Sequence, residues 1–176
     1  TRMGEYTYAC SDFKFKKGLV SATKTSGHTL QIADGLWLDK KFKAAMMKSI
    51  AQSELDRKRF VYSDIGFILL QQVVEAVTGK TLDAYLVSEF YRPMGLEHTL
   101  FQPLNRYKKA DIMPTAANDY LRRQDLCGYV HDEAAAFMGG VSGNAGLFST
   151  AQELGKIYQM ILNEGELDGK RYLRPE

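Results

Sequence analysis

Helical periodicity constrains the fold of this chain more than any other sequence feature. In four stretches, apolar residues recur at intervals of three and four, which places them on one face of a helix. Gly79, Pro93 and Gly165 follow three of these stretches, and both residue types are typical of positions just past a helix end. The pattern predicts helices over residues 39–52, 64–78, 81–91 and 150–164.

Polar residues mark the starts of these helices. Asp39 is a suitable N-cap for the first helix, and Ser63 or Asp64 is suitable for the second. Thr150 followed three residues later by Glu153 has the spacing of a capping box. The second helix carries a continuous apolar run, ILL at residues 68–70, so we expect it to be buried on more than one side.

The rest of the chain is less regular. Aromatic residues at nearly even spacing in the first 38 residues favour short strands or extended loops, and Pro103 and Pro114 interrupt residues 101–138. These patterns predict a mainly α fold, α+β overall, with a few short strands. We expect a single domain over residues 1–176, with an irregular lead-in at 1–38 and a helical body at 39–176.

Composition excludes several function classes. A net charge of +2 with interleaved acidic and basic residues does not favour nucleic acid as a partner, and no apolar run approaches the roughly 20 residues that span a bilayer. Cys10 and Cys127 permit one disulfide without requiring it, and they match no metal-binding spacing. The chain begins at Thr1, without a signal peptide, and ends at Glu176, so we expect an excised segment of a longer protein.

Two stretches of sequence carry a family resemblance. The first is RFVYSDIGFILL at residues 59–70, followed by TGKT at 78–81 and YRPMGLEHT at 91–99. The second is VHDEA at residues 130–134, followed by GGVSGNAGLFST at 139–150. Together they resemble the Y-S-N segment and the glycine-rich block of serine β-lactamase-like hydrolases, the group of class C β-lactamases, D-Ala-D-Ala peptidases and related esterases. Asn144 stands where this block commonly has His.

The resemblance implies the helical part of the β-lactamase/transpeptidase-like fold, assigns roles to Tyr62 and Asp64, and makes Ser63 a third candidate site residue. Tyr62 matches the general-base Tyr, Asp64 matches the Asn-type position that contacts substrate or the catalytic Lys, and Ser63 lies between them. Asp in place of Asn adds a negative charge at this position. In the family, a Ser-x-x-Lys motif supplies the nucleophile and a K-T-G or His-containing motif lines the far side of the cleft. We expect both motifs to lie outside this chain.

The function that the resemblance implies is hydrolysis of amide or ester bonds through a Ser acyl-enzyme, without a cofactor. The substrate would be a D-amino-acid peptide, a β-lactam or a small ester. Other expected partners are the remainder of the full-length chain and a fused glycoside hydrolase domain, in an extracytoplasmic location. The alternative is a non-catalytic binding or structural module of the same fold, because a fold does not fix a function.

Two internal Ser-x-x-Lys matches offer alternative nucleophiles, Ser11 with Lys14 and Ser21 with Lys24. The second has the more usual spelling, but a polar, glycine-containing segment follows it where an apolar helix is expected. We therefore expect this chain alone to be inactive. The run HDE at residues 131–133 contains metal-ligand types, but adjacent residues rarely converge on one ion, so we interpret it as a structural loop without metal.

Overall fold

The computed structural model describes residues 14–54 and 61–175. Its helices lie close to the four stretches of helical periodicity, with one addition before the glycine-rich block. The α-helices are α1 (Phe42–Ala51), α2 (Ile65–Thr78), α3 (Leu82–Leu86), α4 (Glu133–Phe137) and α5 (Ala151–Leu162). A π-helical turn at Val87–Tyr91 continues α3, and 3-10 turns occupy Pro103–Asn105 and Lys109–Asp111.

The end signals act largely as predicted, but the start signals only in part. Gly79 closes α2 in a left-handed conformation with φ of 66°, which glycine adopts without steric penalty. The Thr150 hydroxyl caps α5 by accepting from the Glu153 amide. Asp39, in contrast, lies three residues before α1, where its carboxylate accepts from the Lys41 amide at 2.7 Å. Periodicity therefore located the helices better than it located their first residues.

Nine short strands pair into four antiparallel sheets within the described residues. The largest sheet has the order β1 (Val20–Ser21), β3 (Leu36–Asp39), β2 (His28–Ala33). The other three are two-stranded: β4 (Leu100–Phe101) with β7 (Leu147–Phe148), β5 (Pro114–Asp119) with β6 (Gln124–Cys127), and β8 (Glu166–Leu167) with β9 (Lys170–Arg171). The β4–β7 pair joins segments that lie nearly 50 residues apart, with Leu100 opposite Phe148.

The prediction of a mainly α fold is wrong. The described residues are 37% helical and 19% strand, which makes the chain a mixture of α and β structure. The error arose in the expected irregular lead-in, whose described part contains β1, β2 and most of β3. Strands of two to six residues with irregular register leave too short an alternating pattern to separate them from extended loops.

The expectation that α2 is buried on more than one side is also wrong. Ile68 is buried, but Leu69 and Leu70 are 44% and 59% exposed, and Val73 and Val77 are also exposed. An apolar run shows that a helix has a wide hydrophobic surface, but it cannot show which part of that surface other residues cover. Here only one stripe of α2 faces the core of the described residues.

Two cores hold these elements together. The larger core joins the β2–β3 hairpin, α1, α2 and α4, and the smaller joins the π-helical turn to α5 and β8. The larger core contains Ile32, Leu38, Met46, Ile68, Leu121, Ala136, Phe137 and Met138. The smaller contains Tyr91, Met94, Leu96, Met160 and Leu167. The larger core fixes the start of α2 beside the segment that follows α4.

No helix among the described residues is both long and apolar enough to span a bilayer.

Candidate active site

Tyr62 lies three residues before the first residue of α2, as the start signals predict. Its hydroxyl donates to Oδ1 of Asp64 at 3.1 Å, and its ring lies 6.4 Å from that of Phe67. Asp64 occupies the N-cap position of α2, but its side chain makes no capping hydrogen bond. The Asp64 carboxylate thus contacts the Tyr62 hydroxyl instead of the free amides of the helix.

The electrostatic environment of Tyr62 opposes ionisation. The hydrogen bond that Tyr62 donates to Asp64 raises the pKa of the phenol, and the negative charges of Asp64 and Asp132 raise it further. A phenolate would lose the hydrogen bond and face both carboxylates. Within the described residues, no cation makes a hydrogen bond or ring contact with Tyr62. By itself this arrangement keeps Tyr62 a neutral phenol.

The glycine-rich block packs directly on the first turns of α2. The buried Gln71 side chain accepts from the Gly143 amide at 3.1 Å and donates to the Val141 carbonyl at 3.3 Å. A β-carbon on Gly143 would lie 2.2 Å from the Phe67 carbonyl oxygen, so only glycine allows this approach. The two stretches that carry the family resemblance are therefore adjacent in space.

A polar network continues from this contact toward α4. The Asn144 amide donates to Asp132 Oδ1 at 3.0 Å, and the Ser142 hydroxyl donates to Asn144 Oδ1 at 2.6 Å. Asp132 also caps α4 by accepting from the Ala135 amide at 2.7 Å. Asn144, at the position where His is common, thus holds the glycine-rich block against the cap of α4. Ser142 is buried in this network and has a structural role.

A buried ion pair fixes the segment before Asp132. The side chains of Arg122 and Asp119 are fully buried, 2.7 Å apart, and Arg122 also donates to the carbonyls of Val130 and His131. Burial would raise the pKa of Asp119, but its hydrogen bonds with Arg122 outweigh this effect and lower it. The pair holds the main chain of residues 130–131 in place, which in turn positions Asp132.

The RPMGLEHT stretch at residues 92–99 is bound to the start of α5 by Glu153. This carboxylate accepts from the amides of Glu97 and His98, from Nδ1 of His98 at 3.0 Å and from the Thr99 hydroxyl at 2.6 Å. Burial alone would raise the pKa of Glu153, but these hydrogen bonds lower it to about 2. Glu153 therefore forms only half of the predicted capping box, because its side chain bonds to another segment.

The alternative nucleophile pair is not arranged as a helical turn. Ser21 ends β1, and its hydroxyl accepts from the Thr23 amide at 3.3 Å. The Lys24 ammonium lies 5.6 Å from the centroid of the Trp37 ring instead of beside Ser21. Ser11 and Cys10 lie outside the described residues. Among the described residues the Cys127 thiol has no disulfide partner, and it donates to the Ile112 carbonyl at 3.1 Å.

The described residues contain no group of three or more His, Cys, Asp or Glu side chains that could hold a metal ion. In the HDE run, Asp132 caps α4, the Glu133 carboxylate accepts from the Tyr120 hydroxyl at 2.7 Å, and the His131 carbonyl accepts from Arg122. Each residue of the run thus has a structural contact.

A cavity of about 240 Å³ lies between the β2–β3 hairpin and the start of the glycine-rich block. Its lining includes Trp37, Gln102, Tyr129 and Gly140 but not Tyr62, Ser63 or Asp64. Tyr62 is 69% exposed and does not line this cavity.

Sequence patterns did not identify Gln71, Gly143 or Asp132 as residues that build the site. Gln71 had a visible signal, since it is a polar residue one turn after Phe67 and directly follows the apolar run at residues 68–70. Gly143 and Asp132 had none beyond their place in the matched stretches, because their contacts lie 72 and 12 residues away along the chain.

Comparison with known proteins places the sequence in a family. The Beta-lactamase family model matches residues 22–175. The chain is 42% identical over 119 residues, 61% of its length, both to a "Putative D-alanyl-D-alanine carboxypeptidase" of Escherichia coli K12 and to an "N-acetylmuramyl-L-alanine amidase" of Bacillus subtilis 168, and it covers 27% of each. It is 34% identical over 138 residues, 70% of its length, to a putative carboxypeptidase of Salmonella gallinarum, covering 32% of that protein.

The chain spans about a third or less of these relatives. The family match, in contrast, extends over most of this chain and includes both the Tyr-Ser-Asp segment and the glycine-rich block. The chain therefore belongs to the Beta-lactamase family.

Proposed function

We propose that this chain contributes the Tyr-bearing wall of the active site in a serine hydrolase that cleaves amide or ester bonds through a Ser acyl-enzyme. One observation carries the proposal: Tyr62 and Asp64 precede α2 at the point where the glycine-rich block packs on that helix. The substrate class would be a D-amino-acid peptide, a β-lactam or a small ester. The carboxypeptidase and amidase names of the relatives support hydrolysis of cell-wall peptides, and with it an extracytoplasmic location.

In this proposal Tyr62 acts as its phenolate: it accepts the proton of a serine hydroxyl as that oxygen attacks the substrate carbonyl, and it then passes the proton to the leaving group. Tyr62 needs a nearby cation for this role, because Asp64 and Asp132 both disfavour its anion. The family's Ser-x-x-Lys motif supplies both a nucleophile and an ammonium. Ser21 and Lys24 do not provide that pair, since Lys24 contacts Trp37. We therefore place the nucleophile and the third motif in the remainder of the full-length chain.

The exposed apolar face of α2 supports this part of the proposal. Leu70, Val73 and Val77 are 59%, 56% and 80% exposed. A contiguous apolar surface of this kind is usually covered by another part of the protein or by a partner. Further residues of the full-length chain would cover it and bring the nucleophile toward Tyr62.

Acylation tests the proposal. A fluorescent penicillin and a fluorophosphonate would be incubated separately with the 176-residue chain and with the full-length polypeptide that contains it, and adducts located by mass spectrometry. We expect a serine adduct outside residues 1–176 in the full-length polypeptide and none in the short chain. An adduct on Ser21 that disappears in Lys24→Ala would contradict the placement of the nucleophile. Absence of any adduct in either protein would favour a non-catalytic module.

A further inference from the structure

The cavity between the β2–β3 hairpin and the glycine-rich block has the chemistry of a ligand site. At about 240 Å³ it lies below the range of roughly 300–1,000 Å³ that is typical for drug-sized ligands, so it suits a single ring with short substituents. It lies apart from the candidate active site, because Tyr62, Ser63 and Asp64 do not line it. The Gly139–Gly140 end of the glycine-rich block forms one of its walls.

Its lining combines apolar and polar side chains, which suits a ligand with one apolar face and many hydroxyl groups. Trp37, Leu30 and Phe148 supply apolar surface, while Gln31 and Asn105 supply amide groups. Flat aromatic rings combined with amide side chains fit a pyranose, whose C–H face packs on a ring while its hydroxyls exchange hydrogen bonds with amides.

The polar wall is partly preorganised. The Gln102 amide donates to the Gly139 carbonyl at 2.5 Å and accepts from the Asn105 amide at 3.0 Å. These bonds restrict the rotation of the Gln102 side chain. The side-chain oxygen of Asn105 accepts no hydrogen bond from any described residue, so it can still act as an acceptor. A pyranose hydroxyl could donate to this oxygen without breaking the existing bonds.

The positive charge of Lys24 favours a ligand that carries a negative charge. Its ammonium lies over the Trp37 ring, and no carboxylate pairs with it among the described residues. It is also the one charged side chain in the cavity lining. A ligand whose ring packs against Trp37 and whose carboxylate lies beside Lys24 would satisfy both groups, because a carboxylate beside an ammonium forms a charge-assisted hydrogen bond.

We propose that this cavity binds a monosaccharide that carries a carboxylate, with the ring against Trp37 and the carboxylate on Lys24. This binding does not depend on the proposed hydrolase activity. Two sugars form a matched pair of probes: N-acetylmuramic acid is N-acetylglucosamine with a lactyl ether that bears a carboxylate. Phenylacetate, an aryl carboxylate without hydroxyls, is the third probe.

The test is isothermal titration calorimetry of the full-length polypeptide with the three probes. We expect N-acetylmuramic acid to bind most tightly, and Lys24→Gln to weaken it by about threefold while leaving N-acetylglucosamine unchanged. Trp37→Ala should weaken both sugars by about tenfold. Lys48→Gln, which removes an exposed charge outside the cavity, should alter the binding of neither sugar.

Trp37→Ala removes a side chain from β3 and could disturb the fold. Asn105→Ala, at the exposed rim, therefore provides a second variant, and we expect it to weaken the binding of both sugars.

Equal binding of the two sugars by the unmodified protein, or an affinity for the acidic sugar that Lys24→Gln leaves unchanged, would overturn the proposal. Tighter binding of phenylacetate than of either sugar would overturn the sugar assignment, and absence of binding by all three would overturn the site. The acylation experiment reports on a serine away from this cavity, so failure of one proposal is distinguishable from failure of the other.

Discussion

The neutral phenol of Tyr62 donates a hydrogen bond to the carboxylate of Asp64, two positions away, and this bond works against deprotonation of the phenol. The family's usual Asn would offer the same hydroxyl a neutral acceptor. With Asp at position 64, the Tyr62 phenolate faces a negative charge that an Asn would not supply.

Replacing Asp64 by Asn should lower the pKa of Tyr62, because the phenolate would no longer face a negative charge two residues away. The measurement is an NMR titration of ring-labelled tyrosine, with Tyr62→Phe assigning the resonance. Asp83→Asn removes a carboxylate that is not among the groups acting on Tyr62 and serves as the matched control. An unchanged pKa in Asp64→Asn would show that the hydrogen bond does not persist in solution.

Glu153 makes the stability of the folded chain depend on pH. Its pKa of about 2 in the folded chain lies below its ordinary value of 4.5. The stabilisation that its charged form provides is therefore fully present above about pH 5 and is lost as the pH falls toward 2.

Glu153→Gln should lower the free energy of unfolding by about 1–3 kcal/mol at pH 7, because several donors lose a charged acceptor. The difference between the two proteins should shrink as the pH falls from 5 toward 2. Urea unfolding at several pH values measures it, with the exposed Glu164→Gln as control. A difference that stays constant between pH 7 and 3 would contradict the role of the charge.

At the scale of elements, the glycine-rich block and α2 form one unit because Gly143 lacks a side chain. Gly143→Ala should destabilise the chain by about 1–3 kcal/mol, since the added β-carbon would overlap the Phe67 carbonyl. Gly155→Ala is the control: nothing lies within 4 Å of the added carbon on α5, so we expect stabilisation of about 0.5–1 kcal/mol. Thermal unfolding measures the stability of both variants. Equal changes in stability would contradict the close approach of Gly143 to the Phe67 carbonyl.

The two faces of α2 should respond differently to truncation. Ile68→Ala removes buried volume from the larger core and should lower the free energy of unfolding of the 176-residue chain by about 2–5 kcal/mol. Val73→Ala removes a side chain that is 56% exposed and should change it by less than about 0.5 kcal/mol. A comparable loss in both variants would mean that the exposed face is covered in the short chain as well.

Local sequence signals predicted what depends on local interactions. The spacing of apolar residues located α1, α2 and α5, and Gly79 marked the end of α2, because helix hydrogen bonds and caps involve residues close in sequence. The strands β4 and β7 escaped prediction, since two-residue strands are defined by a partner nearly 50 positions away. For the same reason, the Thr150–Glu153 spacing predicted a capping box without indicating that Glu153 binds residues 97–99.

At the scale of the whole molecule, two matched stretches of sequence meet at the start of α2, and a separate cavity lies at the other end of the glycine-rich block. The described residues thus include Tyr62 and its polar neighbours, but they contain no serine that is paired with a lysine as a nucleophile. Ser21 and Lys24 belong to a strand end and to the cavity wall. The central claim is that Tyr62 acts on a serine supplied by the remainder of the full-length chain.

The measurement that tests this claim most directly is the acylation rate of the full-length polypeptide by a fluorescent penicillin, compared between the unmodified protein and Tyr62→Phe. A positioned general base contributes roughly 10²–10⁴-fold, so Tyr62→Phe should slow acylation by about that factor. Tyr158→Phe, on the exposed face of α5, should leave the rate unchanged. Acylation of Tyr62→Phe at the unmodified rate would contradict the account.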